Sequence, residues 1–438
     1  MHDSILETAD LLRRRKVSPV ELTRECLARI AAKNPTLNAF ITVAEETALI
    51  QAREAEAEIM RGNWRGPLHG IPIAVKDIID ITGLSTTAAS NLFKNRMATE
   101  DAEVVTRLRG AGAVLLGKQN MHEFAYGGSS VISAYGPVRN ACNQEYIAGG
   151  SSGGSTTAVA AGLCFASLGT DTAGSVREPA ALCGVVGLKP TFDLVSTRGV
   201  FPLAPSFDHI GPITRTAGDA ELLLQAIAGD YGDDSQISRD TSSLRIGVPR
   251  NFFYQDLDAE VAAAAEEALR VIQSLTAFVR DVHLDVNPDR TLQAAESFAV
   301  HAEYVSRAPE LYQPETLRRI RSGGHTSQTE IQKLRSELKK SRQEIQQVFD
   351  GVDLIITPTT PIPAPRLADL QANPDQLRPY EILLLRNTRP FNVWGLPAIS
   401  VPCGITKNDL PMGLQIAGAP GSDGLVVRFA AAYEQAIK

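Results

Sequence analysis

Three groups of residues in this 438-residue chain have types and spacing suited to chemistry. Lys76 closes the apolar run "IPIAV". The stretch "AGGSSGGSTTAVAAG" (148–162) crowds glycine and serine ahead of an alanine tract. In "GTDTAGSVREPAALCG" (169–184), Ser175 follows Gly174 on what reads as a tight turn just past a strand. A serine hydroxyl is a poor nucleophile until a neighbour takes its proton. Lysine can take it only when neutral, and its free pKa is ~10.4. Burial lowers a lysine pKa by up to ~3–5 units, and the apolar residues before Lys76 suit such burial. Peptide N–H groups at a tight turn can also converge on a developing oxyanion.

The serine-rich stretch itself admits four readings. A flexible linker fits the composition, but apolar strands and helices flank it closely. A phosphate-binding loop requires GxxxxGK[ST]; Gly149 and Gly154 have the spacing, and Ser155 stands where lysine is needed. A GxSxG nucleophile elbow matches Gly149–Gly153 literally. That motif should follow a strand, and "NACNQEYIA" is a poor one. The fourth reading makes this stretch one piece of a site shared with Lys76 and Ser175. His122 in "MHEF" lacks the partners of a metal site, and no HExxH occurs. It reads as a structural or pocket-wall histidine.

The elements that must position these groups follow from periodicity. Apolar positions at helical spacing cover 3–32, with a fresh start at Ser18 as N-cap, Pro19 at the first helical position and Glu21 three residues on. Helix 43–62, strand 68–80 ending at Lys76-Asp77, helix 101–111 and strand 113–118 give a β-α-β rhythm. Strands are expected at 164–172, 183–190 and 244–249, and a helix at 257–275. Residues 291–350 read as helical and charge-rich. The last part reads as strands and short turns, closed by a helix over about 424–437. The organisation expected is one α/β domain over 1–438, with a helical portion inserted at 285–350. Strand order is not readable.

Hydrophobic residues make up 44% and charged residues 21% of the chain, which places it among globular proteins. A formal net charge of −7 argues against nonspecific nucleic-acid binding. No apolar run approaches the ~20 residues of a membrane span, and no signal pattern opens the chain. Five cysteines with no CxxC pair read as reduced thiols, so a cytoplasmic location is expected.

Taken in order, "GIPIAVKD", "GAVLLGKQNMHEFAYGGSS", "GGSSGGS", "GTDTAGSVREPA", "GVVGLKPT", "DHIGPITRTAGDA" and "GLPAISVPCG...LPMGLQIAG" resemble the amidase signature family. The likeness spans almost the whole chain and is most specific over 66–220. It implies a large mixed β-sheet covered by helices on both faces. It implies a Ser-cis-Ser-Lys triad: Ser175 as nucleophile, Ser151 as relay, Lys76 as base, with a cis peptide at Gly150–Ser151. It further implies an oxyanion hole from the N–H groups of Thr172, Ala173, Gly174 and Ser175. Asp171 and Arg177 become buried supports of that turn, and Ser152 and Ser155 structural hydrogen-bonders. The loop 123–137 becomes the wall opposite the scissile bond, with Ala125, Tyr126, Gly127 and Gly128 offering carbonyls to a leaving amine. Trp394 reads equally as funnel lining or core.

The resemblance implies a hydrolase of small-molecule amides, aryl amides, ureas, carbamates (urethanes) or esters, with no cofactor or metal, as a monomer or homodimer. The glutaminase subunit of a tRNA-dependent amidotransferase shares "GPVRN", "GGSSGGS" and "GPITRT". It normally carries "DTGGSIRQPA" and "PFDE", where this chain has "DTAGSVREPA" and "APGSDG". Both departures are read here as favouring a stand-alone amidase. A catalytically silent binding protein on the same fold is the third reading.

Overall fold

The computed structural model describes residues 4–229 and 241–438. Its centre is one mixed sheet of eleven strands: β1 (Phe40–Val43), β2 (Pro72–Lys76), β3 (Val114–Gln119), β4 (Ala166–Thr170), β5 (Val186–Lys189), β6 (Ile210–Thr214), β7 (Arg245–Val248), β8 (Phe278–Asp281), β9 (Leu354–Pro358), β10 (Ala398–Ile405) and β11 (Pro411–Gly418). They lie in the order β1-β3-β2-β4-β6-β5-β10-β11-β9-β7-β8. Pairing is parallel for β2 with β3 and with β4, and for β7 with β8 and with β9. The remaining pairs are antiparallel.

Successive strand side chains point to opposite faces. All eight residues of β11 and all five of β2 and β4 are buried, so helices cover both faces there. Between β8 and β9 the chain leaves the sheet and forms helices Thr291–Arg307, Pro314–Ser322 and Gln328–Glu344, as the charge-rich pattern predicts.

Local chemistry explains most boundaries. Ser18 caps helix Pro19–Leu37, its hydroxyl accepting from the Val20 and Glu21 N–H groups while Glu21 returns the bond. The expected 3–32 segment is thus two helices, Ile5–Arg13 and Pro19–Leu37, and its first residue lies outside the described residues. The strand expected at 68–80 shortens to β2, because Gly70, at φ +82°, turns the chain just before it. Helices Leu367–Ala372, Pro374–Leu384 and Arg389–Val393 stand where strands and turns are expected. Pro379 inside Pro374–Leu384 obscures a helical pattern in which Leu377, Glu381 and Leu384 face inward.

Candidate active site

β2 and β4 are parallel neighbours in register at Val75 and Leu168, so both carry their C-terminal ends to one edge of the sheet. Lys76 ends β2 and Thr170 ends β4. This edge is where open α/β sheets build their sites. Ser151 enters it from the preceding loop, across a cis Gly150–Ser151 peptide. Helix Gly153–Ala160 runs behind.

The Lys76 ammonium nitrogen lies 2.7 Å from Ser151 Oγ and 2.8 Å from Thr170 Oγ1, and its side chain is fully buried. Burial pulls its pKa from 10.5 to about 7, against the opposing pull of Asp171 and Asp208. Two other lysines are equally buried. Lys118 is paired to Asp77 at 3.0 Å. Lys189 donates to the Pro190 carbonyl at 2.8 Å and contacts His209 Nε2 at 3.2 Å. Among the three, Lys76 is the one with a serine hydroxyl in reach. Thr170, its second partner, is absent from the sequence-derived set, although it directly precedes "DTAGS".

Ser175 sits on the turn after β4. Asp171 builds that turn, accepting from the N–H groups of Gly174 (2.8 Å) and Val176 (3.3 Å). Arg177 grips the same carboxylate at 2.9 Å, and both side chains are fully buried. Burial pushes Asp171 up, but the Arg177 charge and hydrogen bonds outweigh it and hold the carboxyl well below its usual range. The pair lies directly beneath the turn whose support the sequence assigns to it. One expectation needs correction. The Gly174 N–H points inward to Asp171, so it does not belong to an oxyanion hole. The N–H groups of Thr172, Ala173 and Ser175 have no acceptor among the described residues. Gly174 has φ +126°, and a Cβ there would stand 1.9 Å from Thr388 Oγ1, so only glycine fits. The Ser175 hydroxyl itself has no hydrogen-bond partner among the described residues; the Ser151 hydroxyl is aligned with Lys76 instead.

Ser152 and Ser155 hold the frame, donating to the Thr170 carbonyl (3.2 Å) and to Gln119 Oε1 (2.8 Å). The Gly150 N–H donates to Glu178 Oε2 at 2.8 Å. Glu178 is fully buried, and burial pushes its carboxyl well above the usual range, opposed by the Gly150 bond. Burial thus drives it toward the protonated form, which has the shape of a carboxamide and offers the Gly150 N–H the same acceptor oxygen. Glu178 in place of glutamine therefore does not separate a stand-alone amidase from an amidotransferase subunit.

The loop 125–128 forms the facing wall in part. Ala125, Tyr126 and Gly127 line the cleft over Ser175, whereas Gly128 packs against Leu385. The Tyr126 carbonyl already accepts from Arg319 at 2.7 Å, so it is not free for a leaving amine. His122 is buried beneath this loop, with Nδ1 3.5 Å from Glu381. No cluster of metal ligands occurs among the described residues. Trp394 packs edge-on to Phe391 at 5.5 Å, in a core cluster away from the cleft. Cys164 and Cys183 are buried with thiols pushed up to about 12, so they pack rather than react. The cleft opens into a mainly apolar chamber of about 190 Å³, walled by Ile78, Val200, Phe201, Leu203 and Ile210.

An eleven-stranded α/β sheet with a buried lysine and two serines at one edge has the build of a hydrolase of carbon–nitrogen bonds. The chain belongs to the amidase family, which matches residues 21–427. It is 39% identical to a glutamyl-tRNA(Gln) amidotransferase subunit of Trichlorobacter lovleyi, over 97% of this chain and 95% of that one. A crystal structure of an amidase superposes with a TM-score of 0.88 at 34% identity, covering 99% of both chains. The corresponding amidotransferase subunit from Thermotoga maritima superposes with a TM-score of 0.78 at 34% identity, covering 95% and 91%. The sequence relatives thus favour the subunit reading over the stand-alone one. No helix among the described residues is long and apolar enough to cross a membrane.

Proposed function

We propose that the chain hydrolyses a small amide through an acyl-enzyme on Ser175. Ser175 Oγ attacks the carbonyl carbon as its proton passes to Ser151 Oγ, whose own proton passes to neutral Lys76. The N–H groups of Thr172, Ala173 and Ser175 receive the oxyanion. Lys76 returns its proton through Ser151 to the departing nitrogen, the C–N bond breaks, and ammonia or an amine leaves. Water then attacks the Ser175 ester along the same relay and releases the carboxylic acid. The relay needs the Ser175 hydroxyl to come within hydrogen-bond reach of Ser151. The observation that carries this reading is the buried, near-neutral Lys76 at 2.7 Å from Ser151.

The chamber of about 190 Å³ lies below the ~300–1,000 Å³ of drug-sized sites, which supports a small substrate. Amides are the leading class; carbamates, ureas and esters could use the same steps. A second reading, the glutaminase subunit of a tRNA-dependent amidotransferase, is supported by the 39% identical relative. The test is ammonia release from a panel of primary amides, ureas, carbamates and glutamine, with labelling by a serine-reactive sulfonyl fluoride. Labelling and turnover are expected in wild type and absent in Ser175→Ala. Turnover retained in Ser175→Ala refutes the nucleophile. Ammonia from glutamine alone, with a tightly bound partner on purification, selects the second reading.

A further inference from the structure

The cleft over Ser175 is lined by two guanidinium groups, Arg290 and Arg378, together with Tyr126 and Gln293, and none of its described lining residues is acidic. The Arg290 guanidinium has no hydrogen bond or ion pair among the described residues. Arg378 lies over the Tyr126 ring at 5.8 Å and reaches Glu381 only at 3.6 Å. That carboxylate is already engaged by Arg319 at 2.6 Å and by the Ser129 hydroxyl at 2.6 Å. Arg389, the next guanidinium, is turned to the carbonyls of Asn287 and Asp289. Positive charge therefore exceeds negative charge around the cleft. Burial, then the neighbouring Arg389 and Arg378, pull Arg290 down to about 9. Arg290 is the N-cap residue of the 17-residue helix Thr291–Arg307 and Gln293 lies in its first turn, and the helix N-terminus adds partial positive charge.

Both guanidiniums are half-buried, and charge partly withdrawn from water without a close partner is costly; an anion from the substrate would supply the partner. We propose that Arg290 and Arg378 are a carboxylate-recognition pair, and that the amide hydrolysed on Ser175 carries a carboxylate on the part of the molecule held in this cleft. The inference rests on Ser175 being the nucleophile. The cleft itself measures only about 10 Å³, room for a single water. The long arginine side chains are the walls able to swing and close on the anion, a geometry guanidinium favours because it binds carboxylate in a two-pronged fashion. The absence of an acidic lining residue sets a second preference. The nearest acidic lining is Asp208 in the adjoining chamber, whose carboxylate already accepts from the Thr172 hydroxyl and from the Leu203 and Ala204 N–H groups, so the ammonium of an amino-acid zwitterion lacks a free partner and a simple carboxylate-bearing amide should be favoured over glutamine.

Three compounds of matched length separate these terms: glutaramate, its neutral analogue pentanamide, and glutamine. Their protection of Ser175 against a neutral sulfonyl fluoride is measured alongside ammonia release. Wild type should be protected by glutaramate at concentrations about 10- to 100-fold lower than by pentanamide, with glutamine weaker than glutaramate. The glutaramate-to-pentanamide ratio should fall at least about tenfold in Arg290→Gln and in Arg378→Gln, and less in the lysine variants, which keep charge but lose the fork. Equal protection by glutaramate and pentanamide in wild type overturns the inference while leaving Ser175 as nucleophile. A ratio unchanged in both glutamine variants overturns it too. Failure of wild type to label at Ser175 at all, with no amide turned over, refutes the nucleophile reading and this inference with it.

Discussion

Replacing Lys76 with methionine should make the protein more stable and inactive. A pKa brought from 10.5 to about 7 by burial corresponds to roughly 5 kcal/mol, at 1.36 kcal/mol per pH unit. Below pH 7 lysine is protonated in both states, and the folded state carries that whole cost. Between pH 7 and 10.5 the folded state holds fewer protons than the unfolded one, so wild-type stability rises with pH. Methionine has similar length and no charge. It forfeits contacts to Ser151 and Thr170, at about 1 kcal/mol each. The net gain near pH 7 is then about 3 kcal/mol, shrinking to nothing near pH 9 and reversing above it. With an unfolding entropy of about 2.1 cal/mol/K per residue, 438 residues convert 3 kcal/mol into a Tm increase of roughly 3 °C. Thermal unfolding at pH 6, 7.5, 9 and 10 reads the crossover, and amide hydrolysis reads the chemistry. Wild-type kcat/KM should fall about tenfold per pH unit below 7 and level off above it. A Lys76→Met variant that is less stable than wild type by the same amount at every pH refutes the strained lysine. Retained activity in that variant, or a flat wild-type profile from pH 5.5 to 9, refutes Lys76 as the base.

Two further substitutions test the frame. Glu178→Gln should keep activity within about threefold, because the carboxyl, driven by burial toward its protonated form, and the amide are near-isosteric. Its folded-state pKa is raised, so wild-type stability falls as pH climbs above the ordinary carboxylate range; thermal unfolding should show the variant gaining on wild type from pH 4 to pH 8, and parallel curves would mean an ionised Glu178. Gly174→Ala sets a Cβ 1.9 Å from Thr388 Oγ1 at φ +126°, and should lower kcat at least 100-fold by displacing the Ser175 turn; measured activity near wild type would show that the turn tolerates a shift.

What the sequence made legible was local. Lys76 ends a strand, Asp171 and Ser175 lie in the turn directly after one, and Ser151 and Arg177 stand at the starts of the helices that follow, where residue type and position together announce a role. The direction of a single N–H is not encoded that way. Gly174 belongs to the right turn, yet its N–H serves Asp171. The cleft's outer wall is less legible still. Arg290 caps a helix, Arg378 sits on another, and Arg319 on a third; each sequence pattern shows only an amphipathic surface. Their meeting over Tyr126 depends on how the helical portion packs back on the sheet edge, which no local periodicity carries. Pro379 even masks the helix that supplies Arg378.

The same distinction bears on which amide is cleaved. Of the departures from the amidotransferase pattern, the one at Glu178 concerns a side chain that is buried, shifted by burial toward its protonated form and turned to the Gly150 N–H, so it speaks to the frame and not to the substrate. A second, "APGSDG", still supplies an acidic residue, but Asp423 accepts from the Thr191 N–H at 2.8 Å and begins the closing helix. Neither Glu178 nor Asp423 lines the cleft over Ser175; Ala173, where the amidotransferase pattern has glycine, does, and its methyl adds bulk there without charge. Substrate choice must be written in the residues that do, and the charged ones among them are two under-partnered guanidiniums without an acidic neighbour in the lining. A glutaminase has to recognise an ammonium as well as a carboxylate. Comparing glutaramate with glutamine therefore bears more directly on the stand-alone and amidotransferase readings than either motif departure, because it measures the lining itself. Faster turnover of glutamine than of glutaramate would mean that an acidic group from elsewhere completes the site, and that is the result a bound partner protein would produce.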